Sequence, residues 1–122
     1  MPKRERTPER IGKNDATFRE ANERIGEATS RIRAAAGIDA TDDEVPFLCE
    51  CAEERCTEVV RLSLDEYEAV RANATDFLNA PGHEAAAGPY GEVVSRNRRY
   101  VVVRKKGPAA DVVEALDPRA PA

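Results

Sequence analysis

Ile11, Phe18, Ile25 and Ile32 recur every seven residues in the first third of the chain, and Ala21, Ala28 and Ala35 follow the last three of them by three. That spacing is a heptad stripe on a helix. Thr7 is placed to cap its start, Pro8 suits the first helical position, and Gly37 stands where a left-handed residue ends it. Residues 8–37 therefore read as an N-terminal amphipathic helix, roughly 43 Å long at 1.5 Å per residue. A domain built from the remaining residues is narrower than that, so part of the helix should overhang. Asn14 interrupts the second row, and Gly12 and Gly26 each cost about 1 kcal/mol against alanine, so the helix must pack on something. The stripe covers the open face of a domain, joins a second copy in a coiled-coil-like dimer, or orders when a partner binds.

An acidic linker, 38–46, follows, and the pattern then changes period. Pro46 to Cys51 reads as extended, and Thr57 to Leu62 as a second strand with Val60 and Leu62 on one face and Val59 on the other. Ser63 and Glu66 have the spacing of a capping box opening a helix to Ala72, with Leu64, Tyr67 and Val70 as its apolar face. Thr75 to Leu78 reads as a short turn that inserts Phe77 into the core, and residues 79–91 as loop around Pro81-Gly82 and Pro89. Glu92 to Arg96 is read as a short helix in preference to the first arm of a hairpin turning at Asn97. Tyr100 to Arg104, with three consecutive valines, is a firmer strand, and Pro108 starts a last helix carrying Val112, Val113 and Leu116. The fold class expected is α+β: a long N-terminal helix, then a small domain over 46–117 with a short antiparallel sheet.

Composition limits what can hold such a domain together. The 122 residues are 41% hydrophobic but only 5% aromatic, with no tryptophan, so the large anchors of a core are scarce. No run approaches the roughly 20 apolar residues of a membrane span, and Met1 to Arg6 lacks the apolar stretch of a secretory signal. A cytoplasmic location without membrane association is the expectation, and the excess of arginine over lysine fits a GC-rich bacterial source. The formal net charge of -4 is segregated along the chain: residues 41–91 are strongly acidic, whereas both flanks carry a small positive excess.

The chemistry is concentrated in four residues. All three cysteines fall at Cys49, Cys51 and Cys56, and the single histidine is His83. An odd number of thiols in a reducing compartment argues against a disulfide framework and for metal ligation. Residues two apart on a strand project to one face, so Cys49 and Cys51 reach one ion, and the chain turns through four residues to return Cys56. A tetrahedral zinc takes a fourth donor, for which His83, behind the Pro81-Gly82 turn, is the only imidazole; Glu50 or Asp76 is the carboxylate alternative. Iron is disfavoured because the spacing matches no ferredoxin pattern. A core this poor in aromatics supplies about 3 to 5 kcal/mol, whereas structural zinc contributes on the order of 10 to 16 kcal/mol in small peptides, so metal and fold are expected to be inseparable.

Phe47-Leu48-Cys49-Glu50-Cys51 with Cys56, then Leu64 to Arg71, Pro81-Gly82-His83-Glu84 and Tyr100 to Val103, resembles a family of small uncharacterised actinobacterial proteins. Its frame reads F-x-C-E-C-x4-C, L-x-x-Y-E-x-V-R, P-G-H-E and Y-V-V-V, and the likeness runs from residue 11 to the end. The resemblance implies that Cys49, Cys51, Cys56 and His83 form one site.

Parts of a catalytic site are largely missing: there is no second histidine, no glycine-rich phosphate loop and no G-x-S-x-G elbow. The expected function is a non-enzymatic zinc-binding interaction or regulatory module, self-associating through the helix. Two alternatives remain. Arg96, Arg98, Arg99, Arg104, Lys105 and Lys106 are candidate nucleic-acid contacts, for which the bland reading is a charge-protected edge strand. The three thiolates are also candidates for a redox or metal sensor.

Overall fold

The computed structural model describes residues 7–38 and 43–119. Helix α1, Pro8–Ala35, starts at Thr7, whose hydroxyl accepts from Arg10 N, with Pro8 in the first turn. It ends in a Schellman motif, in which Ile38 N donates to Arg33 O, Gly37 N donates to Ala34 O, and Gly37 takes φ 71°. Both ends are written in local chemistry, which is why they are legible in the sequence.

Strands β1 (Glu44–Leu48) and β2 (Val59–Ser63) form an antiparallel pair, and β3 (Asp76–Asn79), β4 (Gly91–Arg96) and β5 (Val101–Lys105) form a second antiparallel sheet in the order β3-β5-β4. Helix α2 (Leu64–Arg71) follows β2, and α3 (Gly107–Ala115) follows β5. The fold is α+β, a long helix followed by a small two-sheet domain. Val60 and Leu62 are buried while Val59 is exposed, and Ser63 and Glu66 close the reciprocal capping box of α2. Phe47 stacks on Tyr67 with centroids 4.4 Å apart at the centre of the larger core.

Three readings are corrected. The segment read as a turn around Phe77 is strand β3, buried at every position and paired to β5, with Asp76 opposite Arg104. Glu92 to Arg96 is not helical but is strand β4 of a hairpin that turns at Asn97, whose side chain accepts from the amides of Arg99 and Tyr100. Its register shifts between Val93 and Ser95, a bulge that disrupts the alternation a strand reading relies on. The acidic linker is shorter than read, since β1 already begins at Glu44; residues 39–42 of it lie outside the described residues.

The inner face of α1 departs furthest from the heptad stripe. Asp15, Arg19, Asn22 and Glu23 are buried against the domain, whereas Phe18, Ala21, Ile25 and Ala28 are half-buried and Ile32 is 69% exposed. Each of these polar side chains is partnered at one or more atoms, although Asp15 Oδ1 and Arg19 Nε are buried without a hydrogen bond. Arg19 Nη2 donates to Val113 O at 2.7 Å, Lys105 Nζ lies 2.6 Å from Asp15 Oδ2, and Arg71 pairs with Glu23 and Asp117. The helix thus covers the domain with its first four turns, and its last turns are largely exposed, as its length requires.

Candidate metal centre

Cys49, Cys51, Cys56 and His83 offer donor atoms that all lie within 4.8 Å of one another. Four residues spread over 35 positions of sequence reach one point because three local structures aim them. Cys49 continues β1, its amide donating to Glu58 O at 3.0 Å. Cys51 and Cys56 bracket a short turn in which Cys56 N donates to Glu53 O. His83 closes a type II turn: its amide donates to Ala80 O at 3.0 Å, Pro81 fills the first central position, and Gly82 takes φ 92° at the second.

The spacing fits a first-row divalent ion. Metal–sulfur and metal–nitrogen bonds of about 2.3 and 2.05 Å at a tetrahedral angle imply a sulfur-to-nitrogen edge of about 3.6 Å. His83 Nδ1 lies 3.7 Å from Cys49 Sγ and 3.4 Å from Cys56 Sγ. Cys49 and Cys51 are buried, and Cys56 and His83 are half-buried, so the centre lies just beneath the surface.

Backbone amides are directed at all three sulfurs, Ala80 N at Cys49 (3.1 Å), with Glu53 and Glu58 serving Cys51 and Cys56. Such donors favour the thiolate form that a metal requires. In the metal-free cluster the thiols share protons unequally. The Cys49 thiol donates toward Cys51, which holds Cys49 well above the usual thiol range and pulls Cys51 down to about 5, while burial pushes Cys56 up.

Glu50, between the first two ligands, is the positioning residue that the sequence did not disclose. Its side chain is fully buried and turned to Leu78 N (2.8 Å, at Oε1) and Asn22 Nδ2 (2.8 Å, at Oε2), and its own amide donates to Leu78 O at 2.6 Å. These bonds fasten the ligand segment to β3 and so carry Ala80 and His83 to Cys49. Burial pushes the Glu50 carboxyl up to about 7. Neither carboxylate named as an alternative donor joins the cluster, because Glu50 is held as described and Asp76 forms a two-bond pair with Arg104.

The basic run is largely neutralised. Arg96 pairs with Glu84, Arg99 with Glu66, Arg104 with Asp76 and Lys106 with Glu92, while Arg98 is exposed. Lys105 is 2% exposed and engaged with Asp15, which removes it from any surface contact with phosphate. Among the described residues no helix is long and apolar enough to cross a membrane. Comparisons with protein families, with curated proteins and with solved structures found no match to this chain.

Proposed function

We propose that the protein is a non-enzymatic structural-zinc module of the cytoplasm that acts as an interaction or regulatory protein. The observation that carries this reading is the convergence of three thiols and one imidazole on one point. Three thiolates and a neutral imidazole around a divalent ion leave a net charge of minus one and no open coordination position. A closed, electron-rich centre of that kind suits fold stabilisation better than the generation of a bound hydroxide. Zinc is favoured over iron because the spacing of Cys49, Cys51 and Cys56 matches no ferredoxin pattern and three Cys with one His is a closed structural zinc set. Elemental analysis of the purified chain tests it: one zinc per chain is expected, with loss or marked weakening in His83→Ala, and a metal-free protein that folds normally overturns the reading.

Self-association through α1 belongs to the same proposal, narrowed to the outer flank of the helix. Ile11 is buried in the chain's own domain, which leaves Phe18, Ala21, Ala28, Ile32 and Ala35 to meet a second copy. Sedimentation of wild type and Ile32→Asp is the check; a monomer in both excludes it.

The sensor alternative draws on one observation, that Cys56 is the most exposed of the three thiols. Release of zinc by mild peroxide, slowed in Cys56→Ser relative to its own basal release, is the outcome it requires. Nucleic-acid binding has less support, since four of the six basic side chains are already paired with carboxylates and a fifth is buried.

A further inference from the structure

We infer that helix α1 and the metal are thermodynamically coupled: loading the Cys3His centre docks the N-terminal half of the helix, and losing the metal loosens it. The inference rests on the zinc reading above and adds a regulated element to it.

The platform under the first four turns of α1 is built partly from the ligand segments and partly from α3, on whose Val112 Gly12 lies closely packed. Arg10 Nη2 lies 2.7 Å from Glu54 Oε1, and Asn14 Nδ2 donates to Cys51 O at 2.9 Å. Asn22 grips Leu48 through both atoms of its amide and donates to Glu50. Ile11 packs in a small cluster with Ala52, next to Cys51, with Ala87, in the 3-10 segment Glu84–Tyr90 that follows His83, and with Ala109 of α3. Asn14, the residue that breaks the heptad row, is therefore a contact to a metal ligand.

Residues 49–58 have no regular secondary structure to hold their shape. Their course is set by the bonds of Cys49, Glu50 and Cys56 to neighbouring backbone, by the buried Glu50 carboxylate and the packing of Ala52, and by where the three sulfurs converge. Removing the ion removes the constraint on the sulfurs, which weakens the placement of the Cys51 carbonyl against Asn14 and of the segment that carries Glu54 against Arg10. Other anchors of α1 do not depend on the metal, since Arg19 reaches Ala74 and Val113, and Asp15 pairs with Lys105. The coupling is therefore carried by Arg10, Asn14 and Asn22, and linkage makes it reciprocal: whatever the metal adds to docking, docking adds to metal affinity.

That reciprocity supplies the test. Zinc affinity of the full chain is measured by competition with a chromophoric chelator at fixed pH for wild type, Asn14→Ala and the double variant Arg10→Ala/Asn14→Ala. Neither residue touches the metal, yet about a tenfold loss is expected in the double variant, within the usual range of such couplings. Lys13→Ala, on the solvent face, and Ser63→Ala, which removes the α2 cap, serve as controls and should retain wild-type affinity. In parallel, hydrogen exchange of wild type on chelation should show the start of α1 around Arg10 and Asn14 losing protection while Val101 to Val103 of β5 keep theirs. Unchanged affinity in the double variant, or simultaneous loss of protection in α1 and β5, overturns the coupling and leaves the zinc reading intact. A wild-type chain that takes up no zinc overturns both.

Discussion

The side-chain amide of Asn22 stands in for a neighbouring strand along Leu48: its Oδ1 accepts from Leu48 N at 2.8 Å and its Nδ2 donates to Leu48 O at 2.9 Å. One residue on a helix thereby completes the hydrogen bonding at the open edge of β1, immediately before the first metal ligand. A third bond, from Nδ2 to Glu50, ties the same amide to the carboxylate that fixes β3.

Asn22→Ala should therefore cost about 2 to 4 kcal/mol, because it leaves the part-buried Leu48 amide and carbonyl and one buried oxygen of the Glu50 carboxylate without partners. Asn22→Asp should cost at least as much, since it replaces the donor with a charge facing Glu50. Chemical denaturation of the metal-loaded protein measures both. A loss under 1 kcal/mol in Asn22→Ala contradicts the role.

Two glycines of α1 should respond in opposite directions to alanine. A Cβ at Gly12 would lie 2.7 Å from Val112 Cβ and Cγ1, so this glycine permits the close crossing of α1 and α3. A Cβ at Gly26 would meet only ordinary contacts, 3.9 Å from Phe47 and 4.0 Å from Leu64. Gly26→Ala should gain about 0.5 to 1 kcal/mol from helix propensity, and Gly12→Ala should lose stability despite the same propensity gain. Thermal melts read the signs, and Val112→Ala should rescue Gly12→Ala only in part, because it removes the Cγ1 contact and leaves the Val112 Cβ at 2.7 Å.

Asp15 and Lys105 form a buried pair beside Phe77, whose ring lies 5.1 Å from the ammonium. Burial pushes the Asp15 carboxyl up to about 7 against the pull of Lys105. Removing the carboxylate alone, in Asp15→Ala, should cost about 3 to 5 kcal/mol by stranding a buried cation, whereas the apolar double replacement Asp15→Leu/Lys105→Met should cost far less. Equal losses in a double-mutant cycle, with no coupling between the two sites, would refute a working ion pair.

Metal binding should release protons. Cys49 and Cys56 are held above their ordinary thiol range and carry protons at pH 7, while Cys51 is largely thiolate. A divalent ion that takes all three as thiolates displaces about two protons, so apparent affinity rises by about two decades per pH unit near neutrality and falls on acidification. Calorimetry in buffers of different ionisation enthalpy counts them; release of none would contradict ligation by thiolates.

What the sequence disclosed divides along physical lines. The ends of α1, the α2 capping box and the Pro81-Gly82 turn were legible because each is set by residues within five positions of one another. The four donors were legible because cysteine and histidine are rare here and have few other uses. The inner face of α1 was not, since Asp15, Arg19 and Asn22 are buried only because Lys105, Val113 and Leu48, distant in sequence, meet them. Strand β4 was missed for a related reason: every one of its residues but the first is exposed, and a bulge at Val94 breaks its alternation. The role of Glu50 needed the register of a sheet that no local pattern encodes.

X-ray absorption at the zinc edge of the loaded protein tests the central claim most directly. Three sulfur scatterers at about 2.3 Å and one nitrogen at about 2.0 Å are expected, with the nitrogen contribution lost in His83→Ala. A shell dominated by oxygen, or an identical spectrum in that variant, would show that the thiols and the imidazole do not share a metal.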